Sequence, residues 1–323
     1  GLMLREFSFS HQPVLMQPVL DLMNVFADGL YVDCTLGGGG HAAGLLSRLN
    51  SRGRLIAIDR DEDAMRAGSS RLASVDSQAA WQVVHGNFAD LSQIMAQLGL
   101  DGADGILADF GVSSWQFDQA GRGFGYRQEG PLDMRMDRDS GQTAADVVNT
   151  YSEKELTRIF RQYGEERHAG KIARAIVNRR ADTPFVTTTD LAEVVRQAMP
   201  AGSRQEAQHP ARRVFQAIRI EVNQELDAIE QLLAVAPRWL RPGGRLCMIT
   251  FHSLEDRLVK EAFRKLEKPC TCPRDFPVCV CGQVAQGRVI TRKAIIADEK
   301  ERQENPRSRS AKLRCFEKNR QTA

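Results

Sequence analysis

The sequence predicts an α/β protein: an open, mostly parallel sheet with crossover helices, interrupted by an all-α insertion. Three observations predict it. Short apolar runs alternate with helix-period stretches from Leu30 to about Phe117, which is how parallel strands joined by helices read. From Gly121 to about Ala211 the apolar spacing is helical only, and beyond Ala211 the strand-and-helix pattern resumes. A chain of 323 residues accommodates two domains at ~100 to 200 residues each. The expected domains are residues 3–120 together with 212–323, which form the sheet, and 121–211, the helical insertion.

Each element follows from its own residues. The expected early strands are the apolar runs 30–34, 54–58, 82–85 and 105–109. Between the first two, residues 41–49 set Leu45, Leu46 and Leu49 at helical spacing, and 63–72 form a second crossover helix. In the insertion, Ser152 and Glu155 form a capping box ahead of Leu156, Ile159, Phe160 and Tyr163, which repeat at i, i+3, i+4 and i+7. Asp190 with Glu193 opens another helix, with Leu191, Val194, Val195 and Ala198 on its apolar face and Pro200 after its end. One long helix over 211–234 then leads to a turn at Leu240-Arg241-Pro242-Gly243-Gly244 and a strand over 245–251. Strands over 288–296 and 312–317 complete the sheet, with the charged, apolar-poor stretch 298–310 expected as a mobile loop.

Composition excludes several classes. An apolar content of 42% with 26% charged residues is an ordinary globular mix, and no run approaches the ~18 apolar residues of a membrane span. Met3 is the expected natural start, with Gly1 and Leu2 ahead of it, and neither a basic n-region nor a small-residue cleavage site follows. Seven cysteines, an odd number, do not make a secreted disulfide framework, so a reducing cytoplasm is expected. The net charge of +3 is too mild to name a partner. Its distribution says more: Arg158, Arg161, Arg167, Lys171, Arg174, Arg179 and Arg180 face only Glu165 and Glu166, and the tail from Arg288 to Arg320 is rich in Arg and Lys. These are either surfaces for a polyanion or solvated helix faces with a loose tail.

The chemistry concentrates in Tyr31-Val32-Asp33-Cys34-Thr35-Leu36-Gly37-Gly38-Gly39-Gly40-His41. A strand running into glycines and then a helix offers bare amides and a helix N-terminus to a ligand at the strand ends. No Gly-Lys-Ser/Thr follows, so a P-loop is excluded, and the dinucleotide spacing from Gly37 meets Ala42 at its third glycine. The next strand ends in Asp59, about 20 residues on, where a carboxylate takes the ribose diol of NAD or S-adenosylmethionine. Phe88 follows the third strand, as an adenine-stacking ring or as a core aromatic, and Asp109 ends the fourth. Together they indicate an adenosine-containing cofactor.

At this point the residues resemble a known family. The stretches His11-Gln12-Pro13-Val14-Leu15, Asp33 to His41, Asp59-Arg60-Asp61, Asp109 to Ser114, Arg122-Gly123-Phe124, Pro131-Leu132-Asp133-Met134-Arg135-Met136, Tyr163-Gly164-Glu165-Glu166, Arg213 to Asn223, Thr250 to Asp256 and Asn305-Pro306-Arg307-Ser308-Arg309-Ser310 resemble the RsmH, or MraW, family, the bacterial 16S ribosomal RNA (cytosine-N4)-methyltransferases. The resemblance runs from about His11 to Glu317. It implies a class I, Rossmann-like methyltransferase sheet with helices on both faces and an inserted substrate-recognition domain. It also implies N4-methylation by S-adenosylmethionine of one decoding-centre cytidine, position 1402 in the usual rRNA numbering. By motif position, Gly39, Gly40 and His41 would lie around the methionine part of the cofactor, Asp59 on the ribose and Phe88 beside the adenine, with Asp109 and Gln116 completing the pocket. The implied partner is 16S rRNA within the small ribosomal subunit, with no membrane association.

Cytosine N4 is a poor nucleophile because its lone pair is delocalised into the ring. The amine must be held at ~3 to 3.5 Å from the methyl while its N–H groups are accepted. Asp109 is the candidate acceptor, as proton sink or as an orienting group, and His252 is the second catalytic candidate. An unstacked base needs a flat face to receive it. Phe124, Tyr126 and Arg135 are candidates for base contact, and Arg174, Arg179 and Arg180 for phosphate contact. No metal is expected in the active site. Outside it, Cys270, Cys272, Cys279 and Cys281 form two C-x-C pairs that either enclose zinc or are free loop thiols. Cys34, Cys247 and Cys315 read as small buried apolar residues. Two other classes compete: a nicotinamide-dependent oxidoreductase, for which no hydride-transfer acid/base pair stands out, and a non-catalytic RNA-binding factor, against which the glycine turn, Asp59 and Asp109 are all intact.

Overall fold

A computed structural model describes residues 12–112, 114–203 and 209–320, so His11 and Ser113 of the family-like motifs lie outside the described residues. The chain forms two compact units: residues up to Gly111 with those from Asp227 onward, and Val112–Leu226.

The first unit is a seven-stranded sheet. Its strands are β1 (Leu30–Asp33), β2 (Arg54–Asp59), β3 (Ala80–His85), β4 (Ala103–Asp109), β5 (Leu240–Thr250), β6 (Gly287–Val289) and β7 (Lys312–Lys318), in the order β3-β2-β1-β4-β5-β7-β6. The first five are parallel, with Val32 opposite both Ile56 and Ile106, and β7 runs antiparallel to β5 and β6. Side chains alternate between two cores, as the two-residue strand period requires. Tyr31, Leu55, Leu107, Cys247 and Leu313 face one layer, with Val19 of α1 (Met16–Met23), Leu45 of α2 (Gly40–Ser47) and Leu72 of α3 (Glu62–Ala73). Val32, Ile56, Ile106, Met248 and Phe316 face the other, with Ile94 of α4 (Leu91–Gln97), Leu232 of α11 (Glu225–Trp239) and Phe263 of α12 (Ser253–Glu267). Layers on both sides explain why the central strands read as continuous apolar runs. Each fully buried Ile or Leu there contributes roughly 1.5–3 kcal/mol.

Three expectations in this unit are corrected. The Arg241-Pro242-Gly243-Gly244 segment is not a turn before β5 but an irregularity inside it: pairing jumps from Ala103 opposite Leu240 to Gly105 opposite Arg245. Gly243 takes φ +77°, and Pro242 sits where no ladder donor is needed. Strand β6 stops at Val289: the Ile290 N–H still donates to Cys315 O (2.9 Å), but the Thr291 hydroxyl accepts the Cys315 N–H (3.0 Å) in place of a ladder bond, and further on Ile295 bridges back to Leu313. The charged stretch 298–310 is ordered. It forms α13 (Glu299–Glu304), capped by Asp298, and a 3-10 turn at Pro306–Ser310. Polar anchors hold it: Glu301 Oε2 accepts the Leu15 N–H (2.8 Å) and Asn305 Nδ2 donates to Gln12 O (3.2 Å).

The second unit is helical among its described residues: α5 (Ser114–Asp118), α6 (Ala144–Thr150), α7 (Glu153–Gln162), α8 (Ala169–Asp182), α9 (Thr188–Ala198) and α10 (Ala211–Asn223). Leu156, Ile159, Phe160, Ile172, Leu191, Val214 and Phe215 are among its core residues. Ser152 caps α7 by accepting the Glu155 N–H (3.1 Å), whereas α9 is capped by Thr187 through the Asp190 N–H (3.3 Å) rather than by Asp190 itself. The single long helix expected over 211–234 is broken at Gln224, which is left-handed (φ +51°). Packing follows the break. Helix α10 belongs to the helical core, so the unit boundaries at Gly111/Val112 and Leu226/Asp227 lie outside the expected 121 and 211. Buried Asn223 ties the 131–136 loop to α10, donating to Met134 O (2.9 Å) and accepting the Met136 N–H (2.8 Å).

Candidate active site

The sheet order reverses between β1 and β4, since β2 and β3 lie to one side of β1 and β4 and β5 to the other. Connections leave such a point in opposite directions, and a crevice opens at the carboxyl ends of the strands. The chain after β1 stays tied to both neighbours, through Cys34 N–H to Leu107 O (2.8 Å) and Leu36 N–H to Ile58 O (2.9 Å). Gly39 then turns into α2 with φ +83°, where a Cβ would also press on the Gly68 backbone at 3.0 Å. Among the described residues, a Cβ on Gly38 would meet nothing within 4 Å, so the backbone at that position is open to a ligand.

Asp59, ending β2, faces this turn. Its Oδ2 accepts the Gly37 N–H (2.8 Å) and its Oδ1 the Asp61 N–H (2.9 Å), and each oxygen keeps a lone pair for a further donor. Burial pushes the Asp59 carboxyl up to about 6 against those two hydrogen bonds. Phe88, in the 3-10 turn after β3, is partly buried and packs on Phe110 with ring centroids 5.5 Å apart.

Asp109, ending β4, is the hub. Its N–H donates to Thr35 Oγ1 (2.6 Å), while the Thr35 N–H donates to Asp33 Oδ1 (3.0 Å). Asp109 Oδ2 lies 3.5 Å from His41 Nδ1, and Oδ1 lies 3.7 Å from the Arg307 guanidinium. The other His41 nitrogen, Nε2, faces Val14 O at 2.7 Å. A carbonyl only accepts, so Nε2 carries a proton. Asp33 is 1% exposed and its Oδ2 has no hydrogen-bond partner among the described residues; burial, opposed by His41, pushes its carboxyl up to about 6.

Arg307 arrives from the 3-10 turn at Pro306–Ser310, its guanidinium stacked 4.6 Å over the Phe251 ring. The Phe251 N–H is held by Glu255 Oε1 (2.8 Å), a fully buried carboxylate. His252 caps α12 by accepting the Glu255 N–H at Nδ1 (3.4 Å), with Nε2 3.5 Å from Glu255 Oε2. Asp256 is clamped by both arms of the Arg314 guanidinium (2.8 and 2.9 Å); burial works against its ionisation, but Arg314 draws its carboxyl below the usual range. Asp33, Thr35 and Arg307 were not singled out as site residues from sequence, although all three lie in the family-like motifs. An acid four residues before the first glycine of the turn and an arginine in Asn-Pro-Arg-Ser carry no signal of their own until the fold brings them to Asp109.

The remaining candidates lie in the helical unit. Gln116 is buried in α5. Phe124 is 3% exposed, its ring packed in the helical core with the Arg122 guanidinium 5.6 Å above it, so it is a core residue and not a face for a base. Tyr126 is partly exposed, flanked by His209 (4.7 Å) and Phe215 (5.3 Å). Arg135 forks onto Asp133 (2.8 and 3.0 Å). Two expected phosphate contacts are committed internally: Arg179 forks onto Asp190 and stacks on Phe185 (4.8 Å), and Arg180 donates to the carbonyls of Val148 and Tyr151. Arg174 is exposed, with Glu153 3.3 Å away.

This sheet order, with an antiparallel β7 beside β5 and acids closing β2 and β4 around a glycine turn, defines a Rossmann-like α/β protein of the methyltransferase class. The model of the MraW methylase family matches residues 8–319, and the chain belongs to that family. It is similar to the "Ribosomal RNA small subunit methyltransferase H" of Carboxydothermus hydrogenoformans, 53% identical over 96% of this chain and 98% of that one. The proteins of the same name from Symbiobacterium thermophilum and Lachnospira eligens are 52% and 50% identical, over 96% of this chain and 97% and 98% of theirs. Among the described residues no helix is long and apolar enough to cross a membrane.

Proposed function

We propose that this protein transfers a methyl group from S-adenosylmethionine to N4 of a single decoding-centre cytidine in 16S rRNA, within the small ribosomal subunit in the bacterial cytoplasm. Relatives at about half identity over nearly their whole length carry the name of a small-subunit rRNA methyltransferase. The observation that carries the reading is Asp109: a carboxylate at the switch point of the sheet, beside an open glycine turn, with one oxygen against His41 and the other against Arg307.

The residues fit the cofactor. The open backbone at Gly38 and the N-terminus of α2 suit its methionine part, Asp59 has acceptor positions left for the ribose hydroxyls, and Phe88 presents a ring for the adenine. When bound, S-adenosylmethionine supplies an electrophilic methyl on a sulfonium. Asp109 supplies the complementary element, a fixed acceptor for the cytosine amino N–H, which orients the nitrogen lone pair and stabilises positive charge as it develops there. His41 and Arg307 hold the carboxylate in place, and Thr35 holds its backbone. His252 belongs to the supporting frame, as the cap of α12 that carries Glu255 beneath Phe251.

The helical unit serves as the RNA-recognition domain in this reading. Tyr126 and Arg135 remain the candidates for base contact. Since Arg179 and Arg180 are committed internally, phosphate contact passes to exposed Arg158 and Arg161 on α7 and to Lys171 and Arg174 on α8.

The test is methyl transfer from labelled S-adenosylmethionine to small subunits from cells lacking the endogenous activity, with the modified nucleoside identified by mass spectrometry. N4-methylcytidine at one site is expected, falling by about 10²- to 10⁴-fold with Asp109→Ala while the protein stays folded. Transfer to another base or atom, or none to subunits and free rRNA from a protein that binds the cofactor, would overturn the assignment.

A further inference from the structure

The excursion between α12 and β6 has no hydrophobic core. From residue 264 to 286 no side chain is buried, and Phe276, Val278, Val280 and Val284 are exposed. Its ends are pinned: Lys268 N–H donates to Arg264 O (2.8 Å), Gln286 N–H to Leu266 O (2.8 Å) and Asn319 Nδ2 to Ala285 O (2.7 Å). Between the pins, the Phe276 N–H to Pro273 O contact (3.1 Å) closes one turn. Ordering so many residues without apolar burial needs another source of free energy. Inside the excursion four sulfurs converge. Cys279 Sγ lies 3.2 Å from Cys270 Sγ, 3.2 Å from Cys281 Sγ and 3.8 Å from Cys272 Sγ, and all four atoms lie within 4.8 Å of one another.

We propose that Cys270, Cys272, Cys279 and Cys281 bind one zinc ion in a closed, structural tetrathiolate site. Zinc–sulfur bonds of ~2.3 Å to a tetrahedron of thiolates put the sulfurs ~3.8 Å apart, and the observed separations scatter around that edge. None of the pairs is at bonding distance, and all four cysteines are free. The set is complete, because four thiolates leave no open position for a substrate or water. It also has the outer layer that such sites use: the Val280 N–H donates to Cys272 Sγ (3.2 Å), and Cys281 Sγ takes hydrogen bonds from the backbone of Gln283 and Thr271. Each C-x-C pair bites the ion from one end of the segment, so the ion closes the loop much as a disulfide would while suiting a reducing compartment.

The site is separate from the Asp109 cluster and supplies no catalytic group, so its test does not use methyl transfer. Full-length protein purified under reducing, chelator-free conditions is assayed for metal by mass spectrometry, then stripped and titrated with cobalt(II). The expected result is one equivalent of zinc per chain. On titration, one equivalent of cobalt should give the thiolate-to-cobalt charge transfer and intense visible bands of a tetrahedral tetrathiolate, abolished by competing zinc. Zinc content should fall to none in Cys272→Ser/Cys279→Ser. Wild-type protein that holds no zinc and gives cobalt only a weak octahedral spectrum overturns the proposal, as does undiminished zinc in the double variant. The cobalt spectrum is read on the wild-type chain, so the proposal stays testable if the variant fails to fold.

Discussion

The acids at the strand ends of the sheet unit and the buried arginines of the helical unit are treated in opposite ways. In the sheet unit, Asp33, Asp59 and Asp109 sit at the ends of strands with acceptor capacity left over: among the described residues Asp33 Oδ2 has no hydrogen-bond partner, and the Asp109 carboxylate is approached by His41 and Arg307 at 3.5 and 3.7 Å. In the helical unit the notable charges are arginines committed to internal partners. Arg122 donates to two loop carbonyls, Arg180 to two at the end of α6, and Arg179 forks onto Asp190. Incompletely satisfied acids mark a place where a ligand completes the structure, whereas satisfied arginines mark architecture. A sequence shows both simply as charged residues.

The comparison is sharpest where a committed arginine is removed. Arg122 is 2% exposed, and its guanidinium donates to Arg135 O (2.9 Å) and Met136 O (3.2 Å). Arg122→Ala is expected to destabilise the helical unit by about 3 kcal/mol through orphaned buried carbonyls and the void left behind. Urea unfolding followed by hydrogen exchange of α6 to α10 would check this, and an unchanged midpoint would break the contrast.

A smaller effect of opposite sign is expected from the acids. Burial raises Asp33 to about 6, above its unfolded value, so its contribution to stability is fully present below the unfolded value and is lost as pH rises through about 6. Asp59, also raised to about 6, acts in the same direction. Asp33→Asn is therefore expected to stabilise the cofactor-free protein at pH 7.5 by about 2 kcal/mol and to flatten the gain seen between pH 7 and 5. Thermal melts at the two pH values read this directly. A variant less stable than wild type at pH 7.5 would show that the carboxylate is structural after all.

The smallest expected effect concerns Arg307, an arginine of the sheet unit that faces Asp109. Arg307→Ala should lower kcat/KM by about 10-fold, equivalent to ~1.4 kcal/mol of lost positioning, with little change in stability. Arg307→Lys should not restore it, because a lysine keeps the charge but not the planar stack on Phe251. Full recovery with lysine would reduce Arg307 to a charge.

Sequence and structure agree most closely where a rule acts over a few residues. The strand ends at Asp59 and Asp109, the glycine turn and the Ser152 cap were all legible, because strand period, turn chemistry and capping are local. Where the sequence misled, the backbone conformation of one residue or a partner far along the chain had decided the outcome. Gln224 breaks an otherwise continuous helical pattern, and Glu301 and Asn305 order a stretch that composition assigns to a mobile loop. Phe124, aromatic and set among glycines, looked like a surface for a base until the helical core closed over it.

The sequence by itself determined the class of sheet, the family resemblance and the positions of the acids at the strand ends, since each is written in short periodic patterns. Tertiary structure decided which charges are free to act. Burial and partner distance set a carboxylate's remaining hydrogen-bonding capacity and a guanidinium's availability, and both depend on residues brought together from opposite ends of the chain, as Arg307 is to Asp109.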